Sequence, residues 1–194
     1  MKYPLRLSFK KVALAPQIYV RDADGQLRMY VKQKLMKLKE SVTVFADEEQ
    51  RQPLYRIDAD RVLDFNARYH FTTADGRELG GVRRKGRRSL WKASYEVERG
   101  GEVILRIGEQ NPWAKVGDAL FGQIPVVGLF AGYLFHPVYN VTRPDGDQVL
   151  RVAKRRALFE GEYDLDRLQD MDAEEEGLAV LSVLMMLLLE RTRG

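Results

Sequence analysis

The chain has 194 residues and a mass of 22.4 kDa, enough to bury a real core without covalent staples. Its 45% hydrophobic and 31% charged content is that of a globular protein and excludes a disordered, collagenous or multi-span membrane chain. Zero cysteines remove disulfides, thiolate metal clusters and cysteine nucleophiles. Thirty-two basic against 28 acidic residues give +4, too small a surplus to announce nucleic-acid binding, and none is expected.

The opening Met1-Lys2-Tyr3-Pro4-Leu5-Arg6-Leu7 breaks its apolar positions with charges. A secretory h-region needs an unbroken apolar run of about 7 to 15 residues, so the expected address is cytoplasmic. From Gln17 to Leu165 the dominant period is two: Leu27, Met29 and Val31 alternate with Arg28, Tyr30 and Lys32, and Trp91, Ala93, Tyr95 and Val97 with Lys92, Ser94, Glu96 and Glu98. Half-buried strands show this pattern. Twelve strands are predicted: Gln17–Asp22, Leu27–Gln33, Ser41–Ala46, Pro53–Ala59, Ala67–Thr73, Arg77–Arg84, Ser89–Glu98, Glu102–Gly108, Ile124–Phe130, Tyr133–Thr142, Asp147–Lys154 and Ala157–Leu165. Asp24-Gly25, Asp75-Gly76, Gly100-Gly101 and Asp145-Gly146 fall between alternating segments and predict four tight hairpins. Their uneven spacing argues against a repeat array.

The tail switches period. Asp172 to Glu176 is followed by a Leu- and Met-rich run from Gly177 to Leu189 and then Glu190-Arg191-Thr192-Arg193, which predicts a helix over about 173–191. Acidic residues at its start and arginines at its end suit the helix dipole. Between Leu178 and Leu189 only Ser182 interrupts the apolar run, so no face of the helix is polar and something must surround it. Twelve residues at about 1.5 Å each span about 18 Å, short of the roughly 30 Å of a bilayer core. About eight strands close a barrel filled by side chains, whereas about eleven hold a central helix. The expectation is a mainly β single domain over 1–194, a closed antiparallel barrel of about twelve strands (about 17–165) enclosing the C-terminal helix. A membrane tail and an oligomer interface are the alternatives.

Tyr19-Val20-Arg21-Asp22-Ala23-Asp24-Gly25, Leu38 to Asp47, and Tyr69-His70-Phe71 through Asp75-Gly76 to Trp91 and Tyr95 together resemble the LURP-one-related family. Through it the sequence resembles the tubby C-terminal-like superfamily, which includes the phospholipid scramblases. The resemblance covers most of Gln17 to Leu189 and implies a twelve-stranded barrel around a C-terminal hydrophobic helix. It also implies a non-enzymatic binding or membrane-associated module, with phosphoinositide recognition in the tubby branch; no lipid-binding residue is carried over from that branch.

The densest basic cluster is Arg83, Arg84, Lys85, Arg87 and Arg88, with Lys92 beyond. Guanidinium groups converging there would bind an anionic headgroup in bidentate fashion; a solvated hairpin tip protecting a strand edge accounts for the same charges. Aromatics are not interleaved as nucleic-acid stacking would require. Asp164, Asp166, Asp170, Asp172 and Glu175 fall at positions 1, 3, 7, 9 and 12 of an EF-hand-like count, and the resemblance to scramblases brings calcium to mind. Leu168 and Gln169 stand where a ligand and a glycine are usual, so helix capping and charge balance are the favoured reading and no metal is expected. Gly117 to Phe135 is a second apolar stretch whose Asp118, Gln123 and Pro125 argue against a span. His70 and His136 lie 66 residues apart without a carboxylate pattern, and neither catalytic residues nor a cofactor is expected. The function expected is a barrel module that binds a protein partner or an anionic phospholipid surface, cytoplasmic or peripheral at a membrane. The alternative is a scramblase-like protein whose final helix enters lipid.

Overall fold

The computed structural model describes residues 1–10, 17–32, 41–60, 67–85, 94–110, 138–155 and 161–191. Over these the chain forms β1 (Leu5–Lys10), β2 (Gln17–Arg21), β3 (Leu27–Lys32), β4 (Ser41–Phe45), β5 (Pro53–Ala59), β6 (Arg68–Thr73), β7 (Glu78–Arg84), β8 (Ser94–Arg99), β9 (Glu102–Glu109), β10 (Val138–Thr142), β11 (Gln148–Lys154), β12 (Gly161–Arg167) and the helix α1 (Ala173–Arg191). The strands follow one another around a closed antiparallel barrel in chain order. Closure comes from β1, which pairs with β2 (Leu7 opposite Val20) and with β12 (Leu7 opposite Tyr163).

That closing strand corrects one expectation: the barrel wall runs from Leu5 to Arg167, not from Gln17. Leu5, Leu7 and Phe9 point inward and are buried while Arg6 and Lys10 are exposed, the same alternation that marks the other strands. The predicted strand Ile124–Phe130 lies outside the described residues, as do parts of the strands expected at 89–93, 133–137 and 157–160. The wall is complete without Ile124–Phe130, because β9 pairs directly with β10, Val141 opposite Ile107. All four predicted hairpins form. A fifth, between β4 and β5, lacks glycine; the Asp47 carboxylate holds it by accepting the amides of Arg51 and Gln52 at 3.1 and 2.8 Å.

The helix fills the barrel. From Leu178 to Leu188 no residue is more than 3% exposed, and at 3.6 residues per turn such a run is covered on every side. Inward residues such as Leu5, Val44, Ile57, Phe71, Leu105 and Leu165 surround it, all fully buried. Each buried Leu or Met contributes about 1.5–3 kcal/mol of transfer free energy, which accounts for a helix with no polar face. Gly80 permits the closest approach. It holds φ 143°, and a Cβ there would sit 2.2 Å from the Glu98 carbonyl oxygen and 3.2 Å from Leu178 Cδ2. No described helix is long and apolar enough to cross a membrane.

Antiparallel order sorts the connections to two ends. Around the N-terminus of α1 the strands are joined by the tight turns at 22–26, 46–52, 74–77, 100–101 and 143–147. Arginines from these turns close that end: Arg143 grips Glu175 at 2.7 and 2.9 Å and the Asp170 carbonyl at 2.7 Å, and Arg77 meets Glu174. Asp172 caps the helix by accepting the Glu175 amide at 2.7 Å. At the other end, around the C-terminus of α1, the strands meet the connections 11–16, 33–40, 61–66, 86–93, 111–137 and 156–160.

Candidate functional site

The basic cluster does not form a single patch, because strand alternation divides it. Arg83 and Lys85 face outward from β7, whereas Arg84 has the inward phase of Val82 and lies opposite Tyr95. Arg87, Arg88 and Lys92 lie outside the described residues. On the outer wall Arg83 pairs with Glu96 at 3.0 Å and Glu98 at 2.9 Å, Lys85 with Glu96 at 2.7 Å, and Arg68 with Glu98 at 2.5 Å. The two carboxylates are nearly buried beneath these cations. The Lys85 hydrogen bond holds the Glu96 carboxyl below its ordinary value, against the opposing effect of burial, and Arg83 adds to it. Gly81 lies beneath the plate, opposite Glu98. A Cβ there would lie 2.6 Å from the Tyr69 carbonyl oxygen, so the close approach of β6 and β7 beneath the plate needs glycine.

Sequence reasoning missed two members of this plate. Arg68, Arg83, Glu96 and Arg106 stand directly opposite one another across β6 to β9, which puts Arg68 and Arg106 on the same surface as the predicted cluster. Four cations against two carboxylates leave a surplus of two positive charges. Among the described residues Arg106 and Arg84 have no ion-pair partner. Outward phase in each strand is the signal that marks Arg68 and Arg106, but the pairing register is needed to bring them together.

The plate adjoins the barrel end around the C-terminus of α1. The six connections leaving that end carry ten basic and four acidic residues, a formal +6 that exceeds the +4 of the whole chain. Inside the same end sits a collar of tyrosines. Tyr95 donates to Glu190 at 2.7 Å, and burial, with Glu109 and Glu190 adding, pushes the Tyr139 hydroxyl upward.

The acidic stretch is committed elsewhere. Asp164 pairs with Arg6 and Arg155, Asp166 with Arg151, Asp170 with Arg167, and Glu175 with Arg143. Asp164 and Asp166 sit on β12 while Asp172 caps α1, so the EF-hand-like count describes no loop. The described residues contain no acidic or histidine group able to hold a metal ion. His70 faces outward near Glu78, with 3.9 Å between Nδ1 and Oε1; His136 and the stretch Gly117 to Phe135 lie outside the described residues.

A closed twelve-stranded antiparallel barrel around an apolar C-terminal helix defines a tubby-like module. Residues 27–121, the stretch that carries β3 through β9 and with it the basic plate, match the model of the LURP-one-related family. Neither the curated proteins nor the solved structures include a match to the chain.

Proposed function

We propose that this tubby-like module is a non-catalytic protein that docks on an anionic phospholipid surface through the barrel end around the C-terminus of α1 and the basic plate beside it. One observation carries the reading: the sequence is basic between the strand ends on one side of the barrel and acidic elsewhere. The six sequence stretches that join strands whose described ends lie around the C-terminus of α1 sum to +6, and the remainder of the chain sums to −2. Such a field orients the molecule with that end toward negative charge. Arg84, Arg87 and Arg88 are its chief headgroup ligands, since Arg83 and Lys85 already neutralise Glu96 and Glu98. A barrel interior filled by α1 leaves no room there for a substrate, which supports the non-catalytic reading.

Co-sedimentation with vesicles tests the proposal. Binding is expected to vesicles containing phosphatidylserine, not to pure phosphatidylcholine, and to weaken as salt rises. Near an anionic surface each basic residue contributes about 1 kcal/mol, so replacing Arg84, Arg87 and Arg88 together with Ser weakens binding about 100-fold. Unchanged sedimentation of that folded variant refutes the proposal and leaves a protein partner as the reading to pursue.

A further inference from the structure

Eleven of the twelve strand interfaces carry four to six register pairs each among the described residues. The β3–β4 interface carries one, Tyr30 opposite Phe45. Val31 and Lys32 are paired on their other side with β2, and Thr43 and Val44 with β5, but among the described residues no register pair joins these two stretches to each other. Each ladder hydrogen bond contributes about 1 kcal/mol net, so this is the line along which the wall parts at least cost. The inner side of the seam is packed: Val31, Val42 and Val44 are no more than 1% exposed.

Outside, the lone pair belongs to a row of aromatics, Tyr19 opposite Tyr30 opposite Phe45, that crosses β2, β3 and β4. The Tyr19 and Tyr30 rings lie 5.1 Å apart at 57°. Both point away from the core, yet they are only 5% and 2% exposed. Lys10 and Arg21 lie over the Tyr19 ring, 4.9 and 5.5 Å from its centroid. Glu48, in the turn after β4, accepts from the Tyr19 hydroxyl at 3.2 Å and from Arg21 at 3.4 Å. A residue following β4 is thereby tied back to β2 across β3, which makes a strap over the seam.

We infer that the barrel wall opens at the β3–β4 seam, and that the Tyr19–Tyr30–Phe45 row, strapped by Glu48, is the latch that holds it closed. Opening there exposes the flank of α1 while the other eleven interfaces stay paired. The idea does not depend on lipid binding. Hydrogen–deuterium exchange on the full chain tests it: amides of 30–32 and 42–45 should exchange about tenfold faster or more than those of β11 and β12. Uniform protection around the barrel overturns the seam. Replacing the half-exposed Glu48 with Ala should speed seam exchange about threefold and leave β11 and β12 unchanged; an unaltered seam, or an equal increase everywhere, overturns the latch.

Discussion

Gly80→Ala probes how tightly the wall is built around the helix. Gly80 sits at φ 143°, a conformation that side chains rarely adopt, and the added Cβ would meet the Glu98 carbonyl oxygen at 2.2 Å. Real contacts of a Cβ stay above 3.0 Å, so β7 and β8 must separate by about 0.8 Å, in a wall whose other side is pressed on Leu178. Overpacking of this kind costs about 1–3 kcal/mol and the backbone strain about as much again. In a chain of this length 1 kcal/mol shifts Tm by roughly 2–4 °C, so a fall of about 10 °C is expected in thermal unfolding followed by circular dichroism. Gly101→Ala is the control. Its φ is 88° but nothing lies within 4 Å of the added methyl, and strain alone, about 1 kcal/mol, lowers Tm by about 3 °C. Equal losses for the two variants would show that close packing at Gly80 is not what demands glycine.

Two further variants test other parts of the account. Ser182 is fully buried inside the barrel and its hydroxyl has no hydrogen-bond partner among the described residues; Ser182→Ala removes an unsatisfied polar atom and should raise Tm by about 2–4 °C. A lower Tm would mean the hydroxyl is engaged. Glu96→Gln tests the outer plate through pH. Because Lys85, against burial, holds the folded Glu96 carboxyl below its ordinary value, its stabilisation is complete above the unfolded pKa of about 4.3 and disappears as pH falls through the folded one. The urea midpoint of the parent chain should therefore exceed that of the variant at pH 7, and the gap should close below about pH 4. A gap that stays constant or widens toward acid contradicts the pairing.

What could be read from the chain was whatever depends on neighbours in sequence. The run from Leu178 to Leu189 has no polar face whichever way the helix is turned, so its enclosure followed from composition alone, and its bounds at Ala173 and Arg191 follow from the cap at Asp172 and the flanking charges. The Asp-Gly and Gly-Gly turns located four hairpins because positive φ is a local demand. β1 was legible by the same rule, since Leu5, Leu7 and Phe9 alternate with Arg6, Ser8 and Lys10; judged only as a broken h-region, the segment hides its strand.

Partnership across strands was not legible. A contiguous run such as Arg83-Arg84-Lys85 reads as one patch, yet period two sends Arg84 to the opposite face, and only the β7–β8 register sets Glu96 against Arg83. Arg68 and Arg106, 15 and 23 residues from Arg83, join the plate for the same reason. Sequence thus determined the elements, because hydrophobic period and turn conformation are properties of adjacent residues. Tertiary structure decided which charges meet and how the first strand closes the wall, because register and closure depend on pairing between distant segments.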